Sequence, residues 1–231
     1  MKTVLITGAN RGLGLEFCRQ YTRDDWRVIA TCRHPDIAND LNSLARQYAN
    51  LQVHALDVAD FSQIDALSQL LVNESIDVLI NNAGIYADQQ GCGVGQLDYQ
   101  AWEKSFLINT LAAVKMAETF LPQLQKSKQK LIVSISSLMG SMADNASGGS
   151  LSYRSSKAAL NAAMKSLSIE LCRDLVGVLI LHPGWVKTDM GGKNASITVE
   201  ESVSGMRQQI EIFNLQKTGR FLNYEGAQLP W

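Results

Sequence analysis

The chain has 231 residues, of which 46% are hydrophobic and 19% charged, a balance that suits a packed globular core and excludes a disordered chain. A formal net charge of −1 offers no basic field for nucleic acid or anionic lipid, so a small molecule is the expected partner.

The first predicted strand, residues 4–7, runs into Thr7-Gly8-Ala9-Asn10-Arg11-Gly12-Leu13-Gly14 and then a helix over residues 12–24. Glycines permit a tight turn and close backbone approach, and a helix beginning near Gly12 aims unpaired N–H groups at a pyrophosphate. The Gly-x-x-x-Gly-x-Gly spacing departs from the G-x-G-x-x-G dinucleotide fingerprint, which leaves a simple glycine-rich turn as the competing reading. Its place between the first strand and the first helix favours the phosphate. The second strand, residues 27–31, leads into Cys32-Arg33 with no acid to receive ribose hydroxyls. Arg33, flanked by Arg11, presents donors to a 2′-phosphate instead, and this points to NADP(H).

Further strands are expected at residues 51–56, 78–81, 131–136 and 178–181, with helical periodicity at 38–49, 61–74, 99–125 and 151–175. Continuous apolar strands alternating with amphipathic helices predict an α/β fold. The expected form is one Rossmann-like domain over residues 1–231. Its doubly wound parallel sheet has about seven strands, with helices on both faces. The loop at residues 86–98 carries Gly91, Gly93 and Gly95 and reads as a flexible connection. A second loop, residues 190–196, precedes Thr198-Val199-Glu200-Glu201, a capping-box start to a helix. Val199, Val203, Met206, Ile210 and Phe213 make an apolar stripe on it, read as core, with a substrate lid as the alternative.

The start of the chain is too short an apolar run for a signal-peptide core, and no later run suits a bilayer span. Cys18, Cys32, Cys92 and Cys172 have neither pairing nor metal-ligand spacing. These features predict a cytoplasmic protein with free thiols and no metal site.

Tyr153 and Lys157 stand four residues apart, on one helix face, where an ammonium beside a phenol lowers its pKa toward working pH. Such a tyrosine can give or take a proton at a carbonyl or alcohol oxygen. The strand ending Ser134-Ile135-Ser136-Ser137 brings hydroxyls to the carboxyl edge of the sheet, where open α/β folds bind ligands. Ser137 there can donate to a developing oxyanion, with an ordinary serine turn as the bland reading.

With these motifs in order, and with Asn81-Asn82-Ala83-Gly84 and His182-Pro183-Gly184 followed by Thr188, the chain resembles the short-chain dehydrogenase/reductase superfamily along nearly all of its length. Within it, Pro183-Gly184-Trp185-Val186-Lys187-Thr188-Asp189-Met190-Gly191-Gly192 and the ending Gly219-Arg220-Phe221-Leu222, then Leu229-Pro230-Trp231, are most similar to C-factor and sniffer-type carbonyl reductases.

The resemblance implies an NADPH-dependent reduction of aldehydes or ketones. Tyr153 is then the general acid or base. Lys157 tunes it and holds the nicotinamide ribose, Ser137 orients the substrate oxygen, and Asn109 holds a relay water. It also implies cofactor contacts from Gly8, Asn10, Arg11, Gly12, Leu13, Gly14 and Arg33 on the phosphates, and from Asp57 and Val58 on the adenine. Asn82, Ala83 and Gly84 fall on the adenosine ribose side, and Pro183, Gly184, Val186 and Thr188 near the carboxamide. A signalling or NADP(H)-binding role, and an alcohol dehydrogenase working oxidatively, are the alternatives.

Residues 138–152 depart from the family by their length and are expected to border the substrate mouth; with the last strand close to the end of the chain, no extension is expected to close it. Leu138, Met139, Trp185, Met190 and Tyr86 are expected to give an apolar pocket. Small and apolar residues on more than one face of the helices at 99–125 and 151–175, among them Ala158, Ala159, Ala162, Ala163 and Leu167, exceed what one sheet surface covers and predict a homodimer.

Overall fold

A computed structural model of the protein describes residues 1–88 and 93–231. Gly91 in the first loop and Cys92 among the thiols lie outside the described residues. Seven strands form one sheet: β1 (Thr3–Thr7), β2 (Arg27–Cys32), β3 (Leu51–Ala55), β4 (Val78–Asn81), β5 (Leu131–Ile135), β6 (Gly177–His182) and β7 (Arg220–Asn223). Their order is β3-β2-β1-β4-β5-β6-β7 and every pairing is parallel. The chain leaves β1 in one direction for β2 and β3, then returns past β1 to β4. That reversal puts a crevice above the carboxyl ends of β1 and β4.

Alternation along the strands divides the core into two. Val4, Ile6, Val28, Ala30, Val78, Ile80 and Val133 face one cluster, whereas Leu5, Ile29, Leu79, Ile132 and Ile180 face the other. The first is covered by α1 (Gly12–Arg23), α2 (Asn39–Gln47) and α8 (Val199–Glu211). The second is covered by α3 (Phe61–Leu70), α5 (Ala112–Thr119), α6 (Leu121–Gln125) and α7 (Leu151–Glu170). Strands apolar on both faces are what a parallel sheet between two helix layers demands. The first half of the capping box forms, since the Thr198 hydroxyl accepts from Glu201 N–H at 3.1 Å. Val203, Met206 and Ile210 of the stripe are buried in the first cluster, so the stripe is core and not a lid.

Two helices differ from expectation. The predicted 99–125 helix is divided into α4 (Tyr99–Phe106), a π-turn at Leu107–Leu111, α5 and α6. Pro122 sits at the start of α6, where its missing N–H and ring break the ladder after Phe120. The π-turn buries Ile108, Asn109 and Thr110 and is the kind of local rewinding often found at functional sites. The predicted 151–175 helix stops at Glu170 and closes in a 3-10 turn, Leu171–Asp174, with Leu175 in the left-handed region at φ 58°.

Candidate active site

The glycine loop is locked from below. Asn82 donates from Nδ2 to the carbonyls of Thr7 and Gly8 at 2.9 and 3.1 Å, and the Thr7 hydroxyl accepts from the N–H groups of Asn82 and Ala83 at 3.0 Å each. A Cβ at Gly14 would stand 2.2 Å from the Gly8 carbonyl oxygen, and one at Gly8 would stand 2.9 Å from Ala83 Cα. Only bare backbone folds this tightly, and no side chain caps the start of α1 at Arg11. A cradle of this kind, with the helix N-terminus open, fits a pyrophosphate. The Ala9 N–H donates to the Thr31 carbonyl at 2.9 Å, tying the loop to the end of β2, where Arg33 is exposed and no acid stands. These residues therefore fit a phosphorylated dinucleotide.

Arg11 is engaged in this structure by Asp189, at 2.5 Å, rather than aimed beside Arg33. The pair bridges the glycine loop and the loop after β6. Both side chains are largely exposed, so the bridge adds little stability. Thr188 lies against the glycine loop, its Cγ2 3.5 Å from where a Gly12 Cβ would sit, and its hydroxyl accepts from Gly191 N–H at 3.0 Å. Val186 is buried and bridges to Ile197, and Pro183 accepts from the Ser202 hydroxyl at 2.6 Å. Asp57 accepts from Ala59 N–H at 3.0 Å within its own turn, and Val58 is buried.

Tyr153 and Lys157 occupy one face of α7, both buried, as the spacing predicts. Lys157 Nζ lies 5.7 Å from the Tyr153 ring centre and donates to the Ile135 carbonyl at 2.9 Å. Burial depresses its pKa to about 8. The expectation of a lowered tyrosine pKa is corrected here. Burial pushes Tyr153 up to about 12, the Ser137 hydroxyl pulls the other way, and Tyr86 adds to the rise. The ammonium is turned to Ile135, so desolvation wins.

Ser137 begins the 3-10 turn Leu138–Gly140, and its Oγ accepts from Met139 N–H at 3.1 Å. Ser136 instead donates to Asn161 Oδ1 at 2.6 Å, away from Tyr153. Gly140 lets this turn touch α7, since a Cβ there would stand 2.8–3.0 Å from the backbone and Cβ of Lys157. Asn109 sits in the π-turn with both side-chain N–H groups and its amide oxygen bonded. Its Oδ1 accepts from Ile85 N–H at 2.8 Å, while Nδ2 donates to the Ile85 carbonyl at 2.9 Å and to Ser156 Oγ at 3.0 Å. A Cβ at Gly84 would lie 3.2 Å from Asn109 Oδ1 and 3.6 Å from Lys157 Nζ, so the three meet.

At the mouth, Leu138 and Met139 are half-buried, and Trp185 and Met190 are exposed. Tyr86 packs on Tyr153 with ring centres 5.0 Å apart. Trp231 stacks on Phe221, and its carbonyl oxygen accepts from Ser141 Oγ and Ala143 N–H. Residues after the last strand thus reach the segment expected to border the mouth. Sequence reasoning also missed Asp88, whose carboxylate accepts from the first turn of α7; an acid 64 residues upstream leaves no local signal. Among the described residues, no His, Cys, Asp and Glu group suits a metal ion.

Comparison with known proteins settles the family. Residues 2–197 match the model of the short chain dehydrogenase family. The chain belongs to that family. Within it, the chain is 41% identical over 156 residues to the protein named C-signal from Myxococcus xanthus, covering 68% of this chain and 93% of that protein. Among solved structures, carbonyl reductase Sniffer of D. melanogaster superposes with a TM-score of 0.93 at 33% identity, covering both chains fully. The NADPH-bound carbonyl reductase from chicken fatty liver gives a TM-score of 0.93 at 36% identity, over 100% of this chain and 99% of that one. A short-chain dehydrogenase is an oxidoreductase, so this chain is an enzyme of that class.

Proposed function

We propose that this enzyme reduces neutral aldehydes and ketones to alcohols with NADPH, Tyr153 supplying the proton. The observation that carries the reading is a buried phenol packed beside Ser137 and Lys157 at the carboxyl edge of the sheet, next to a phosphate-fitting glycine loop. Likeness to a carbonyl reductase holding NADPH supports the same cofactor, and the chain is an NADP(H)-dependent oxidoreductase. Residues 8, 10 to 14 and 33 would hold the cofactor phosphates, and Asp57 with Val58 the adenine. Asn82, Ala83 and Gly84 fall beside the adenosine ribose, and Pro183, Gly184, Val186 and Thr188 beside the carboxamide. When bound, NADPH supplies the hydride.

The chain's own residues handle the proton. Ser137 donates to the substrate oxygen and fixes its position, which stabilises charge as it develops there. Tyr153 then passes its phenolic proton to that oxygen. Burial keeps the phenol protonated at working pH, the form in which it can donate to a carbonyl oxygen. Lys157 stands by to stabilise the phenolate left behind, and Asn109 braces the Ile85 backbone beside it.

The lining of Leu138, Met139, Trp185, Met190 and Tyr86 is apolar and aromatic, with methionines that adapt to varied shapes. Steady-state assays on a matched panel test the reading. Neutral aromatic aldehydes and ketones should give higher kcat/KM than any 2-oxo acid, and a 2-oxo acid at the top of the panel overturns the pocket assignment. The likeness to C-signal favours a second reading, signalling on the same fold. A protein that binds NADPH but turns over nothing on the panel would support that reading instead. A cytoplasmic location and a homodimer complete the proposal.

A further inference from the structure

Helix α7 begins without a cap of its own. Ser150, the residue at its start, lies in the left-handed region at φ 48° and ψ 45°, and its side chain caps nothing. The first turn is held from a distance instead. Asp88 Oδ1 accepts from Ser152 N–H at 3.0 Å, and Oδ2 accepts from Ser152 Oγ at 2.7 Å and from Tyr153 N–H at 2.9 Å. One carboxylate therefore takes three hydrogen bonds, one of them from the backbone of Tyr153. An acid at a helix N-terminus is also favoured by the helix dipole.

The same segment grips the tyrosine a second way. Tyr86, two residues before Asp88, packs its ring on the Tyr153 ring, and its hydroxyl bonds Ser150 Oγ at 2.6 Å. From the opposite side, the Tyr153 carbonyl accepts from Ser156 Oγ at 2.8 Å, and Ser156 in turn accepts from Asn109 Nδ2. Backbone N–H, ring and carbonyl of Tyr153 are each fixed by a different partner. The segment after β4 is thus bolted to α7 at the residue whose hydroxyl must meet the substrate oxygen.

We infer that Asp88 is a positioning residue for proton transfer: by capping α7 at Ser152 and Tyr153 it sets where the Tyr153 hydroxyl stands. The inference rests on the reading of Tyr153 as proton donor. Asp88 acts through Tyr153 and does not itself touch the reacting atoms. Misplacing a reacting group by about 1 Å costs on the order of a hundredfold in rate, so even partial loss of this cap is readable in turnover.

The experiment compares Asp88→Ala, Asp88→Asn, Ser152→Ala and Tyr153→Phe with the parent protein. For each, kcat, KM for an aromatic aldehyde, NADPH affinity by fluorescence and the solvent deuterium isotope effect on kcat are measured. Asp88→Ala should lower kcat by about tenfold or more while NADPH affinity stays within about twofold, because the glycine loop is untouched. The solvent isotope effect should rise, since proton delivery becomes the slower step. Asp88→Asn keeps an acceptor for one of the two N–H groups and should fall between. Ser152→Ala loses one bond of the three and should shift kcat least, in the same direction, and these two carry the test should Asp88→Ala not fold.

Parent-like kcat in Asp88→Ala, or a loss of kcat with no change in the isotope effect, overturns the inference. Tyr153→Phe separates the two layers. If it is inactive while the Asp88 variants are parent-like, only the positioning role fails. If it is itself active, the donor assignment fails and the positioning role with it.

Discussion

At the scale of single residues, the site is governed by burial of two groups that prefer to titrate in water. Lys157 titrates at about 8 when folded against 10.5 in its ordinary state, because burial penalises the ammonium. Between those values the unfolded chain binds more protons, so stability rises with pH across that window. Below it the buried charge costs about 3 kcal/mol in full, partly offset by the bond to the Ile135 carbonyl. Tyr153 acts in the opposite sense: its phenol, raised from 10.0 to about 12, makes stability fall as pH rises through that range. Lys157→Met is therefore expected to abolish turnover yet to stabilise the fold at pH 7 by about 1 kcal/mol, or about 2–4 °C in Tm. The gain should shrink near pH 9.5, where the parent lysine is already neutral, and thermal melts at the two pH values check it. A lower Tm for the variant at pH 7 would show that the lysine's bond outweighs its desolvation. For the cofactor, Arg33 stands exposed at the end of a strand without an acid. Arg33→Ala should cut the preference for NADPH over NADH in kcat/KM by about tenfold, the loss of about 1.4 kcal/mol of charge-assisted bonding. An unchanged preference would transfer the role to Arg11, which here pairs with Asp189.

At the scale of elements, the carboxyl edge of β5 is joined to α7 by contact between backbones. Gly140 lies so close to Lys157 that any Cβ must push the Leu138–Gly140 turn away, and Ser137 with it. Gly140→Ala should cost about 1–3 kcal/mol by overpacking and lower kcat as well. Thr198→Ala provides the contrast. It removes the α8 cap at a cost of about 1 kcal/mol but lies away from Tyr153, so kcat measured below the transition should be unchanged. If both variants lose stability and both keep kcat, the turn does not set the position of Ser137. The starts of α1 and α8, the strand ends and the Tyr153–Lys157 spacing were all legible, because each depends on neighbours within a turn or a strand. The π-turn inside the 99–125 helix was not: Asn109 is drawn to Ile85 and Ser156, partners that are distant in sequence, whereas the break at Pro122 is a local signal.

At the scale of the whole molecule, the order of strands opens the crevice between β1 and β4, and Thr7 and Asn82 stitch its floor. Outside the site, α4, the π-turn and α7 leave Tyr99, Leu111 and Ile169 half or more exposed. Of the small residues expected at an interface, Ala162 is exposed, and Ala158, Ala159, Ala163 and Leu167 are half-buried. We propose that a second copy of the chain covers this face, removing apolar area from water. Light scattering at micromolar concentration should give twice the chain mass, and Ile169→Glu should shift it to the monomer. A monomer in the parent protein refutes the proposal.

The sequence by itself determined the sheet, its two apolar faces, the glycine loop and the pairing of Tyr153 with Lys157. These follow from periodicity and from spacings of a few residues, which local geometry converts directly into position. Tertiary structure alone decided the aim of the groups so placed and the direction in which burial shifts the titration of Lys157 and Tyr153. Lys157 turns to Ile135, Arg11 to Asp189, Asn109 to Ile85, and Asp88 reaches across 64 residues to hold the start of α7. Hydrogen-bond partners and desolvation depend on what the fold brings alongside a side chain, and spacing along the chain carries no record of that.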